Sequence, residues 1–174
     1  LDRETSGAMI VALRPEIAAA FAGSPTEKIY RVIVHGDFPA ETDATGFLFH
    51  DPASVVRKKR RFAAVAPENF RSETARTYFR KLGGNGKFSR LEARLDTGRM
   101  HQIRATLLSL GYPVVGDKLY GLDETLYLRR KNDDLGDGDQ AKLILDRQAL
   151  HSYKIVFRHP ATREKLEVCA PEPE

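Results

Sequence analysis

Leu95–Gly121, LDTGRMHQIRATLLSLGYPVVGDKLYG, constrains the fold more than any other part of this chain, because 27 residues change structural period twice between two glycine turns. In the RLEARLD segment that enters it, Leu91, Ala93 and Leu95 alternate with Glu92, Arg94 and Asp96, the signature of a strand with one buried and one wetter face. After the Thr97-Gly98 turn the apolar positions switch to a helical spacing over His101–Leu110. Ile103, Leu107 and Leu110 form one stripe with Leu108 beside it. Gly111 stops that helix, and Gly116-Asp117 makes a second turn.

The remaining segments extend this alternation of strands and isolated helices. Gly7–Leu13 is apolar at successive positions and reads as a strand buried on both sides. Arg14-Pro15 opens a short Ala-rich helix that Gly23-Ser24-Pro25 ends. Glu27–His35 is a β-branched strand with Tyr30 on the face of Val32 and Val34, and Pro39–Pro67 reads as irregular. Strands are expected over Thr74–Leu82, Phe88–Leu95, His151–Phe157 and Leu166–Ala170, with Gly83–Gly86 as a hairpin turn. A short helix falls around Leu122–Lys131, and Asn132–Gln140 is a polar insertion. The pattern predicts an α+β fold with a mixed, mainly antiparallel sheet and flanking helices.

Composition narrows the classes of activity. With 174 residues and 41% hydrophobic positions, the chain suits one domain, residues 1–174, around one core. A net charge of +4 favours an anionic partner. The lone Cys169 excludes an internal disulfide and fits a reducing, cytoplasmic setting. No apolar run approaches the roughly 18 residues that cross a bilayer. The five histidines lack the i, i+4 pairing of a zinc helix, so no metal is expected. Asp133, Asp134, Asp137 and Asp139 lack the closing Glu of a calcium loop and read as solvated.

Several side chains have two readings. Asp2, before a Thr-Ser-Gly turn, is either a turn cap or a carboxylate held at a cleft mouth. Arg104 lies beside the apolar stripe, where it is either a surface cation snorkelling past Leu108 or the partner of a carboxylate. Gly98-Arg99 enters a helix N-terminus, which favours an anion. Arg57, Lys58, Lys59, Arg60 and Arg61 form a solvated run or a phosphate-contacting one.

Leu1–Gly7 (LDRETSG), Lys28-x-Tyr30 with Gly36, the TGR, HQIR and GDKLYG segments, and Ala149–Ser152 followed by Phe157–Pro160 together resemble the RNA pseudouridine synthases of the RluA type, in order and spacing over nearly the whole chain. The resemblance implies that Asp2 is the nucleophile, Arg104 its pairing partner, Tyr30 a stacking and proton-transfer residue, and Leu150 part of a uracil pocket. It further implies RNA contacts from Arg3, Arg99, His101 and Gln102 as well as the basic run, a ribosomal or transfer RNA substrate flipped into the site, a monomer and no cofactor. Family members carry a Lys-Pro-x-Gly strand before Leu-Asp, so the resemblance implies a missing N-terminal part. Two rival readings are a non-catalytic RNA-binding module on the same fold and a glycoside hydrolase. The latter needs a second carboxylate that no comparably specific motif supplies.

Overall fold

The computed structural model describes residues 1–22 and 24–173, and Gly23, read as part of a helix stop, lies outside them. Among the described residues the chain runs β1 (Ser6–Gly7), α1 (Pro15–Ala22), β2 (Thr26–His35), β3 (Glu41–His50), β4 (Arg60–Ala63), β5 (Ser72–Gly84) and β6 (Phe88–Leu95). It continues as α2 (Gln102–Ser109), α3 (Thr125–Lys131), α4 (Asp137–Leu143), β7 (Leu150–Arg158) and β8 (Lys165–Cys169). The strands form one sheet in the order β1-β7-β2-β6-β5-β3-β4, with β8 on β7. Every pairing is antiparallel except β1 with β7, so the fold is α+β with a mainly antiparallel sheet. None of these helices is long and apolar enough to cross a membrane.

The core follows from strand alternation. Val32 and Val34 of β2, Leu91 and Ala93 of β6, Phe79 of β5 and Leu48 of β3 are buried with Ile103 and Leu107 of α2. α2 therefore lies along one sheet face, nearest β3 and β4, with its apolar stripe turned inward. Truncating a residue such as Leu107, which has no solvent exposure, is expected to cost about 2–5 kcal/mol. On β6 the polar position Glu92 is nevertheless buried, because Arg31, Arg80 and Arg94 all reach its carboxylate.

Three sequence expectations need correction. The Gly7–Leu13 strand ends at Gly7, and Met9, Val11 and Leu13 are exposed. β7 offers β1 only His151 and Ser152, because from Lys154 onward its edge is taken by β8. Pro39–Pro67 contains β3 and β4. Their polar and small residues hide the apolar period, and the pairing of β3 with β5, and of β4 with β3 against α2, supplies the burial. Finally, α4 begins inside the polar insertion. Asp139 is buried there, accepting from the Gly136 N–H and from Arg129 Nη1 at 2.7 and 2.8 Å, so it caps a helix instead of standing in solvent.

Candidate active site

A cavity of about 260 Å³ opens where the Asp2 loop, β2, the start of β7 and the N-terminal turn of α2 meet. The loop is fixed at several points. Thr5 N–H closes a turn on the Asp2 carbonyl, Gln148 Nε2 donates to Thr5 Oγ1 at 2.6 Å, and Lys118 Nζ reaches both Glu4 oxygens. Ser6 Oγ meets His151 Nδ1 at 2.9 Å beside the β1–β7 pairing. Gly7 has φ +108°, and a Cβ there would lie 2.3 Å from the Ser152 carbonyl oxygen, so the strand can press this close only at glycine.

Arg104 is buried, and its guanidinium bridges two carboxylates. Nε and Nη2 donate to Asp117 at 2.6 and 2.7 Å, while Nη1 donates to Asp2 Oδ2 at 2.8 Å. Its face lies 4.8 Å from the Tyr120 ring centroid. Burial alone lowers its proton affinity, but Asp117 and Asp2 outweigh burial and raise it, so Arg104 stays charged. Asp117 is itself fixed, since Oδ1 also accepts the N–H groups of Leu119 and Tyr120 at 2.9 Å. The bidentate partner of Arg104 is thus Asp117, and Asp2, which the resemblance pairs with Arg104, receives a single N–H. Asp2 Oδ1 accepts no hydrogen bond among the described residues, and Asp2 lines the cavity with a side chain 25% exposed.

Tyr30, Ile103 and Leu150 supply the cavity's apolar wall and Lys28 a cation. Burial pushes the Tyr30 phenol up, Ser152 opposes it and the charge of Asp2 adds to it, so the phenol keeps its hydrogen. His101 is the N-cap of α2 with φ 58°, a left-handed conformation unusual outside glycine. Its Nδ1 lies 2.9 Å from the Tyr120 hydroxyl, whose oxygen accepts the Arg60 N–H at 2.8 Å. Burial pushes the Tyr120 phenol up, so it keeps its hydrogen. We therefore assign that hydrogen to a bond with Nδ1, which leaves the imidazole proton on Nε2.

The other expected contacts divide. Arg3, Arg57, Lys58, Arg61 and Arg99 are exposed. Lys59 is turned inward instead and pairs with Glu124, so it is a structural cation unavailable to RNA. Arg60 is half-buried against Glu73. Gln102 is only 2% exposed and fully committed: Nε2 donates to the Arg76 carbonyl and Thr77 Oγ1, and Oε1 accepts from Thr97 Oγ1 and Arg99 N–H. It fastens the cavity rim and has no group left for RNA. Asp117, Tyr120 and Lys118 escaped the sequence reading. Their motif, GDKLYG, was visible, but which side chain each would meet was not.

A single carboxylate, held through a buried arginine at a cavity of about 260 Å³ on a mainly antiparallel sheet, defines a polar cleft with an ionisable group on its rim. The RNA pseudouridylate synthase family description matches residues 1–109. The chain is 34% identical to an uncharacterized RNA pseudouridine synthase of Chloroflexus aurantiacus, over 99% of this chain and 48% of that protein. It is 32% identical to ribosomal large subunit pseudouridine synthase D of Vibrio cholerae, over all of this chain and 51% of that one. Human RNA pseudouridylate synthase domain containing 1 shares the fold, with a TM-score of 0.72 at 23% identity, covering 99% of this chain and 67% of its own. The chain belongs to the RNA pseudouridylate synthase family, and it spans about half the length of the curated relatives it matches.

Proposed function

We propose that this protein converts uridine within RNA to pseudouridine, with Asp2 as the nucleophile. The observation that carries the reading is the division of the Asp2 carboxylate: Oδ2 is held by Arg104, while Oδ1 accepts no hydrogen bond among the described residues, on a carboxyl group that lines a base-sized cavity. A uridine flipped from its strand would place its base against Tyr30, Ile103 and Leu150, with its sugar at Asp2.

In this reading Asp2 attacks C1′, the C1′–N1 bond breaks, and the base turns within the cavity. C5 then bonds C1′ as the Asp2 ester leaves, and the C5 proton is lost while N1 gains one. Alternatively, Asp2 removes the C2′ proton as the C1′–N1 bond breaks to give a glycal, and returns it to C2′ as C5 bonds C1′ and the C5 proton moves to N1. Atoms and electrons of the uridine balance in either case, so the isomerisation calls for no oxidant, reductant or energy source. Tyr30, protonated at the outset, delivers a proton to the released base and later accepts one. The names of relatives favour large-subunit ribosomal RNA as the substrate, and transfer RNA is the alternative that the motif resemblance implies. The expected setting is the cytoplasm, acting as a monomer.

The test is tritium release from RNA labelled at uracil C5. Asp2→Asn is expected to abolish release while folding and RNA affinity persist, since Asn keeps the size of the side chain and an acceptor for Arg104. Substantial release by Asp2→Asn would overturn the assignment, and release of free uracil would point to hydrolysis instead.

A further inference from the structure

Adjoining the cavity at Asp2, His101 and Arg104 is a second hollow of about 490 Å³, formed between the Asp2 loop, Lys58 and α3. The same three residues line both concavities. Within the hollow three pairs of charges cancel: the buried Arg104 with Asp2, the buried Lys118 with Glu4, and, on the exposed lip, Arg130 with Asp133. Arg3, Lys58 and Lys131 form no ion pair among the described residues and are exposed, leaving an excess of three positive charges beside the catalytic candidate. Lys58 Nζ rests 5.0 Å above the Tyr127 ring, which holds it over the hollow.

A nucleotide's sugar joins its base to its phosphates. If the base occupies the cavity and C1′ faces Asp2, the backbone must leave around the residues shared by the two hollows. We propose that this second cleft is a binding site for the phosphodiester next to the flipped nucleotide, with Arg3, Lys58 and Lys131 as its counter-charges. The proposal rests on the function argued above. The His101 imidazole stands between the two sites, its Nε2–H free of the Tyr120 contact and suited to a phosphate or ribose oxygen.

The test measures binding of a labelled, unmodified RNA hairpin to the intact protein across salt concentrations, alongside tritium release. Lys58→Gln with Lys131→Gln is expected to weaken binding about tenfold. It should also flatten the slope of log affinity against log salt by roughly 1.4, about 0.7 for each single-strand phosphate deprived of its lysine. The paired Arg replacements should restore the slope, and Lys165→Gln, an exposed cation on β8, should leave it unchanged. Melting temperatures check that each variant folds. If the parent protein releases tritium but the double Gln variant keeps the parent slope, the cleft proposal fails and the synthase reading stands. If the parent binds the hairpin without releasing tritium from ribosomal or transfer RNA, the synthase reading fails and takes the cleft with it.

Discussion

Asp117 takes two of the three guanidinium nitrogens of Arg104, so Asp2, 115 residues away in the chain, receives a single N–H. That division lets one cation orient the Asp2 carboxylate without engaging both of its oxygens. Gly116 makes it possible. Its φ of +73° turns the chain directly before Asp117, and a Cβ there would lie 2.2 Å from the Arg147 carbonyl oxygen.

Removing Asp117 strands a buried guanidinium. Asp117→Ala is expected to cost about 3–5 kcal/mol, read as a lower urea midpoint at unchanged slope. Asp117→Asn keeps an acceptor for the Leu119 and Tyr120 amides, so it should fold better yet release tritium more slowly, because Arg104 is freed to close on both Asp2 oxygens. A rate equal to the parent's would remove Asp117 from any positioning role.

Tyr30→Phe keeps the ring that lines the cavity and deletes the phenol. RNA affinity should change little, while single-turnover isomerisation falls about 10²–10⁴-fold, the range for removal of a proton-transfer group. An unchanged rate would leave Tyr30 as a stacking surface alone.

His101 is pushed below its ordinary value of 6.5, first by burial and then by Arg104 and Lys58, with Asp2 and Asp117 opposing. The folded state therefore takes up this proton less readily than the unfolded chain. Stability contributed by neutral His101 is complete above about pH 6.5 and is lost as pH falls through the lower folded value. The imidazole resonances of His101 should titrate below those of an unfolded control, and His101→Gln should reduce the acid-side loss of melting temperature. Titration at or above 6.5 would refute this.

Lys59 and Arg61 belong to one basic run but should behave oppositely. Lys59→Ala leaves Glu124 without its cation, with only the Ser54 hydroxyl donating to it, and should cost about 1–2 kcal/mol, with a matching drop in melting temperature. Arg61→Ala, exposed on β4, should stay within about 0.5 kcal/mol of the parent. Its effect belongs in RNA affinity. Equal stability losses would mean that burial does not separate the two.

The sequence alone determined what short-range periodicity can encode. β6 appears with the predicted ends, β2 within one residue, and α2 runs from Gln102 to Ser109 ahead of the predicted Gly111 stop, because alternation of two and a helical stripe are properties of neighbouring side chains. The family's motifs likewise singled out Asp2, Tyr30 and Arg104, since their spacing survives in one dimension. Tertiary structure decided the rest. β3 becomes a strand because β5 pairs with it and β4 because β3 and α2 cover it, Gly7–Leu13 loses its strand because β8 takes the β7 edge, and Lys59 and Gln102 turn inward because partners distant in sequence satisfy them. Whether Arg104 forks onto Asp2 or Asp117 depends on distances of a few ångströms between segments 115 residues apart, and such distances exist only once the sheet has closed around the core.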